Sequence, residues 1–213
     1  IREAALIAEK RDGIVLKGII TAIRHFGPQK AKETALCAAE TMGDFITGFG
    51  LAGDEKIGQP KDFRWSFDLA REAGLRLTCH AGEWGGPESV RDAIRDLDVE
   101  RIGHGVRAIE DLALVEEIAE KGIVLEVCPG SNIVLGIYKG WRDHPIQRLH
   151  DRGVKVTVST DDPPYFHTTM AREYDRLADI NDRLGSAKRA LRAYVQGNGV
   201  EGLDWDAVRV RFG

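Results

Sequence analysis

Three short segments of this chain end in side chains that can ligate an ion or move a proton. Leu77-Thr78-Cys79-His80-Ala81-Gly82-Glu83-Trp84 is an apolar run that stops at a histidine and a carboxylate three residues apart. Arg101-Ile102-Gly103-His104-Gly105 sets a second histidine between glycines, and Val156-Thr157-Val158-Ser159-Thr160-Asp161-Asp162-Pro163 delivers two adjacent carboxylates after a β-rich run. Singly, each has an ordinary explanation: a strand-end histidine is usually a hydrogen-bonded structural residue, and paired aspartates before proline usually cap a helix or form a turn. Jointly, three strand ends of one parallel sheet carrying His, Glu, His, Asp and Asp converge on one rim, where the carboxylates repel unless a cation lies among them. A divalent ion supplies that charge, and imidazole nitrogen with carboxylate oxygen is a ligand set suited to zinc in a hydrolytic site. Zinc lowers the pKa of bound water from 15.7 to about 7, so that a neutral histidine can take its proton while a protonated carboxylic acid donates to the substrate.

The elements that must position these residues are legible in the hydrophobic pattern. Short β-rich runs at 14–23, 45–51, 75–79, 101–103, 123–127 and 154–159 alternate with amphipathic stretches at 28–42, 61–73, 87–97, 110–121, 144–152 and 168–184, which predicts parallel βα units. Pro28, Pro87 and Pro145 stand at first-turn positions, and Gly74, Gly122 and Gly153 where a left-handed cap is wanted. Six such units fit either an open doubly wound sheet or an incomplete (βα)8 barrel. A doubly wound sheet needs a glycine-rich phosphate turn, but Gly48-Phe49-Gly50-Leu51-Ala52-Gly53 runs into Asp54-Glu55, which repels phosphate. Polar residues follow at least four strand ends, where a barrel keeps its active site, so the expected fold is α/β of the TIM-barrel type.

With 43% hydrophobic and 30% charged residues in 213, the chain falls in the globular range, and one domain is expected over residues 1–213. Its formal charge of -4 is spread among interspersed acids and bases, which gives no footprint for nucleic acid or an anionic membrane and leaves a small molecule as the expected ligand. Cys37, Cys79 and Cys128 form no C-x-x-C pair, which argues against a disulfide framework or a zinc knuckle and suits the cytoplasm. His25, His144, His150 and His167 read as packing, capping or surface residues, although His25 closes the first strand and points at the same rim. Trp84 and Trp141 could stack on a planar base or simply pack.

In order and spacing the motifs resemble the adenosine deaminase family of zinc-dependent (βα)8 hydrolases, over about residues 24–176. The resemblance is carried by Gly50-Leu51-Ala52-Gly53-Asp54-Glu55, His80-Ala81-Gly82-Glu83, Arg101-Ile102-Gly103-His104-Gly105-Val106, Glu126-Val127-Cys128-Pro129-Gly130-Ser131-Asn132 and Thr160-Asp161-Asp162-Pro163. It implies that His80 and Asp161 are zinc ligands, that Glu83 protonates purine N1, and that His104 is general base or electrostatic partner toward the attacking water. It also implies that Asp162 bonds purine N7 and that the backbone of Gly53 approaches N3. The implied reaction is hydrolytic deamination of adenosine or deoxyadenosine to the inosine nucleoside in purine salvage, with adenine or another aminopurine as the alternative substrate. Gly86-Pro87-Glu88-Ser89 and Gly103 look more like the nucleoside enzymes.

The family pattern opens with a His-x-His pair that supplies two further ligands, and these 213 residues contain none. The chain begins with Ile1 inside a helical pattern, so the expectation is an N-terminally truncated barrel holding strands three to eight of a fold that takes ~250 residues. Gly50 stands where aspartate is frequent and Ser159 where asparagine is, and the tail from about residue 180 no longer resembles the family's closing helices. The alternative of another class is a catalytically inactive fragment. Expressed alone, the 213 residues are expected to hold zinc weakly and to show no deaminase turnover; full activity in that preparation would mean that the missing ligands are replaced from elsewhere.

Overall fold

A computed structural model of the chain describes residues 1–180. Six strands, β1 (Gly18–Ile23), β2 (Ile46–Ala52), β3 (Arg76–Ala81), β4 (Arg101–His104), β5 (Val124–Val127) and β6 (Lys155–Val158), form one sheet in the order β1-β2-β3-β4-β5-β6, every neighbouring pair parallel. Strictly sequential order without a switch point is the wall of a βα barrel, not a doubly wound sheet. The sheet is therefore a partial barrel. Among the described residues, β1 and β6 each pair on one side only.

Helices follow the strands: α1 (Arg2–Asp12) precedes β1, and α2 (Gly27–Thr41), α3 (Arg64–Glu72), α4 (Gly86–Leu97), α5 (Leu112–Lys121), α6 (Pro129–Val134), α7 (Ile146–Asp151), α8 (Pro163–Phe166) and α9 (Met170–Ile180) complete the order. Their apolar stripes meet the outer face of the sheet. In α4, for example, Val90, Ala93, Ile94 and Leu97 are buried at helical spacing. They join Leu77, Cys79, Ala81, Ile102, Leu125 and Val127 of the strands in one core cluster.

Where the observed ends differ from the pattern, a cap or a missing partner explains it. The first strand starts at Gly18 rather than residue 14, because the ladder to β2 begins with Gly18 opposite Ile46 and leaves Ile14, Val15 and Leu16 exposed. α5 starts two residues after Glu110, where the Asp111 side chain accepts from the amides of Ala113 and Leu114. The 61–73 helix is split: residues 60–63 form a 3₁₀ turn closed by a reciprocal Gln59/Asp62 capping box before α3 begins. The short α6 and α8 escape periodicity because six and four residues are too few to show it. The part of the 168–184 helix beyond residue 180 and the tail after it lie outside the described residues.

Candidate active site

The strand ends open onto a cleft of about 440 Å³. Gly53, His80, Glu83, His104, Asp161 and Asp162, all singled out from sequence, line it together with Trp84, Lys56 and Phe166. Trp84 thus stays at the cleft, whereas Trp141 packs against the core. His25 is exposed at the rim beside Gly53, where a Cβ would stand 2.9 Å from the imidazole Nδ1; Gly53 also holds φ +102°, so both space and backbone call for glycine there.

Register explains how His80 reaches the cleft. His80 of β3 lies opposite Gly103 of β4, which lies opposite Glu126 of β5, so these three share the inner face. A side chain at position 103 would meet the His80 ring, its Cβ 2.9 Å from Nδ1 and 3.0 Å from Cγ. Thr78 and Arg101, two residues lower on the same face, donate to and pair with Glu126, the Thr78 Oγ1 bond at 2.8 Å, closing the floor with satisfied polar groups. His80 Nδ1, by contrast, is buried and has no hydrogen-bond partner among the described residues.

His104 departs from simple alternation. It follows Ile102 by two and would face the helices, but its φ of +62° turns it over into the cleft, and Asp161 beyond β6 likewise holds φ +56°. His104 is buried, its ring edge-on to His80 with centroids 5.2 Å apart. Burial first, then the neighbouring His80, lowers its pKa to about 3, which keeps the imidazole neutral.

A hydrogen-bond chain assigns the tautomer. The Ile146 amide donates to His144 Nδ1 at 3.3 Å, so neutral His144 carries its proton on Nε2. That nitrogen donates to Asn132 Oδ1 at 3.2 Å, which orients the Asn132 amide. Asn132 Nδ2 therefore donates to His104 Nδ1 at 3.2 Å and to Glu83 Oε1 at 3.3 Å. The His104 proton is left on Nε2, 3.9 Å from Asp161 Oδ2. His144, read from sequence as a packing, capping or surface residue, is buried and orients the site; burial first, then Arg148 and His104, lowers its pKa to about 4.

Glu83 is the proton-transfer candidate. Burial first, then the charges of Asp161 and Glu55, raises its pKa to about 7, so the carboxyl can carry a proton near neutrality. The first turn of α6 opposite is held by the buried Glu173, which accepts from the Gly130 amide at 2.9 Å and from Thr168 Oγ1 at 2.6 Å. Ser131 of that turn donates to Asp161 Oδ2 at 2.8 Å.

The donor set fits a divalent ion. Asp161 pairs with no lysine or arginine among the described residues, and His80 offers an imidazole with an orphaned nitrogen. The ligand-type atoms of His104, Cys128 and Asp161 lie within 4.8 Å of one another, a trio that does not include His80. Burial, followed by Asp161 and Glu83, pushes the Cys128 thiol up in pKa and disfavours the thiolate that a metal needs. The thiol also lies 3.7 Å from the Glu126 carbonyl.

Gly82 is constrained twice over, by φ +72° and by Val90 Cγ2, which a Cβ would overlap. Gly82→Ala is therefore expected to destabilise the fold by about 2–4 kcal/mol, measured as a fall in the denaturant midpoint with the slope unchanged; an unchanged midpoint would mean that the β3–α4 turn tolerates a side chain.

Comparison with known proteins identifies the family and the fold. The chain is 50% identical over 179 residues to the adenine deaminase of Agrobacterium fabrum, covering 84% of this chain and 55% of that protein. It is 51% identical over 172 residues to the adenine deaminase of Rhizobium leguminosarum bv. trifolii, covering 81% and 53%. The chain thus spans about half the length of the curated relatives it matches. Among solved structures, an adenine deaminase from Arthrobacter aurescens superposes with a TM-score of 0.80 at 27% identity, over 99% of this chain and 64% of that one. An amidohydrolase from Burkhoderia ambifaria, solved with bound Zn, gives 0.70 at 26% identity over 87% and 58%. The family profile described as adenosine deaminase matches residues 1–207, and the chain belongs to the adenosine deaminase family.

Proposed function

We propose that the protein deaminates an aminopurine hydrolytically, with free adenine as its substrate. The observation that carries the reaction class is Glu83: a half-buried carboxyl with its pKa at about 7, facing the cleft beside a neutral His104 and the Asp161 carboxylate. The name adenine deaminase on relatives about half identical to this chain supports adenine over adenosine. The residues that sequence analysis weighed toward a nucleoside have other duties. Gly103 makes room for the His80 ring, and Gly86-Pro87-Glu88-Ser89 is the first turn of α4, with Ser89 donating to Glu55.

In this reading His80 and Asp161 hold a zinc ion, which supplies Lewis acidity toward water when bound. Glu83 gives its proton to purine N1, which drains charge from the ring as water adds at C6. His104, held as the Nε2–H tautomer through Asn132, presents a donor beside Asp161; of the two roles open from sequence, this network supports the electrostatic one. Asp162 and the Gly53 backbone orient the base. Of the two protons of the added water, one restores the Glu83 carboxyl and the other leaves with the C6 amino group as ammonia, so that adenine and water become hypoxanthine and ammonia.

Initial rates of ammonia release with adenine, adenosine and aminodeoxyfutalosine test the assignment on protein expressed from its complete coding sequence. The expected kcat/KM for adenine is roughly 10²-fold above that for adenosine. A preference for adenosine would restore the nucleoside reading.

A further inference from the structure

We propose that Glu55 is the positioning residue for the proton donor: its carboxylate gathers the backbone of Gly82 to Gly85 and so sets where Glu83 presents its carboxyl to the cleft. The proposal rests on the deaminase reading of Glu83. Glu55 belongs to the loop after β2, yet among the described residues every one of its hydrogen bonds is with the loop after β3 or the first turn of α4. Oε2 accepts from the Gly82 amide at 2.7 Å, the Gly85 amide at 3.2 Å and the Ser89 hydroxyl. Oε1 accepts from the amides of Glu83 at 2.8 Å and Trp84 at 2.9 Å.

Five donors on one carboxylate form an anion-binding nest filled from within the chain. Burial pushes the Glu55 carboxyl up, but the bonds from Ser89 and from the Trp84, Gly82 and Glu83 amides outweigh it and hold the group below its ordinary value, ionised. Both sides of the contact are built for it. A Cβ on Gly85 would stand 2.6 Å from Glu55 Oε2, and the turn that presents Glu55 is fixed by Asp54, which accepts from the Lys56 amide at 2.9 Å and, through its carbonyl, from the Ile57 amide at 2.9 Å. The opposite end of the motif is held by opposite charge: buried Arg24 donates to the His80 carbonyl at 3.1 Å. Residues 80–85 are thus fixed at a carbonyl by a guanidinium and at four amides by a carboxylate.

A glutamine cannot replace this carboxylate. It has the same shape, but whichever way its amide turns, an NH₂ group faces at least two backbone N–H donors. The test compares wild type, Glu55→Gln and Ser89→Ala, each expressed from the complete coding sequence, by kcat and KM for adenine per bound zinc and by hydrogen exchange of the 82–85 amides. Glu55→Gln is expected to lower kcat by about 10²-fold, with KM changed far less, and to speed exchange at Gly82 to Gly85. Ser89→Ala, which spares all four amide bonds, is expected to stay near wild type. Should Glu55→Gln not fold, Glu55→Asp keeps the charge but withdraws it by one methylene, and the same loss in kcat is expected. Unchanged kcat per zinc, even with a lower melting temperature, overturns the proposal and leaves Glu55 purely structural. If wild type itself does not deaminate, the functional reading fails, and exchange alone decides whether Glu55 sets the loop: faster exchange in Glu55→Gln upholds the positioning, and unchanged exchange overturns it.

Discussion

Glu83→Gln is expected to keep its metal and lose about 10²–10⁴-fold in kcat, the range that a positioned general acid supplies. The substitution is close to isosteric, and Asn132 Nδ2, 3.3 Å from Glu83 Oε1, can still donate to the glutamine oxygen, so the fold and the orientation of His104 survive. What disappears is the proton. A carboxyl with its pKa raised to about 7 by burial, Asp161 and Glu55 holds a proton at neutral pH and can give it to a ring nitrogen, whereas a carboxamide cannot. Measuring kcat per bound zinc separates lost chemistry from lost metal. Wild-type turnover in this variant would remove Glu83 from the reaction.

Stripping the ion is the second large effect. Lewis acidity toward water contributes several kcal/mol to such a hydrolysis, so dialysis against a chelator is expected to lower turnover by about 10³-fold or more, and added zinc to restore it. His104 is already neutral through burial and stays so with the ion removed, so the loss traces to the metal rather than to a protonation change at that histidine. Undiminished turnover after the metal has been shown to be gone would exclude a metal-dependent reaction.

The sheet and the strand-end residues are legible in the sequence for a local reason. A buried parallel strand is a largely apolar run, and the first imidazole or carboxylate near its end, such as His80 or Asp161, marks the rim of the cleft without knowledge of any contact. The residues that orient the site are not legible, because their partners are distant. Glu55 lies 27 to 34 positions from the groups it binds, and Asn132 lies 28 from His104 and 49 from Glu83. In the sequence, Glu55 and Asn132 stand inside motifs that carry the family resemblance but with no role of their own, and His144 reads only as a packing, capping or surface residue. The backbone reversal at His104 escapes for another reason: strand alternation sends that side chain outward, and only its positive φ brings it back. Gly105 just after it, at φ +65°, is the one visible hint of a left-handed turn.

Zinc content puts the ligand assignment to its most direct trial. Zinc per chain is to be measured in wild type, His80→Ala and Cys128→Ser, each from the complete coding sequence and each shown to be folded. Loss of the ion from His80→Ala with full retention in Cys128→Ser is the predicted outcome. Full occupancy without the imidazole, or an ion that leaves with the thiol, would contradict the account and move the metal to the His104, Cys128 and Asp161 trio.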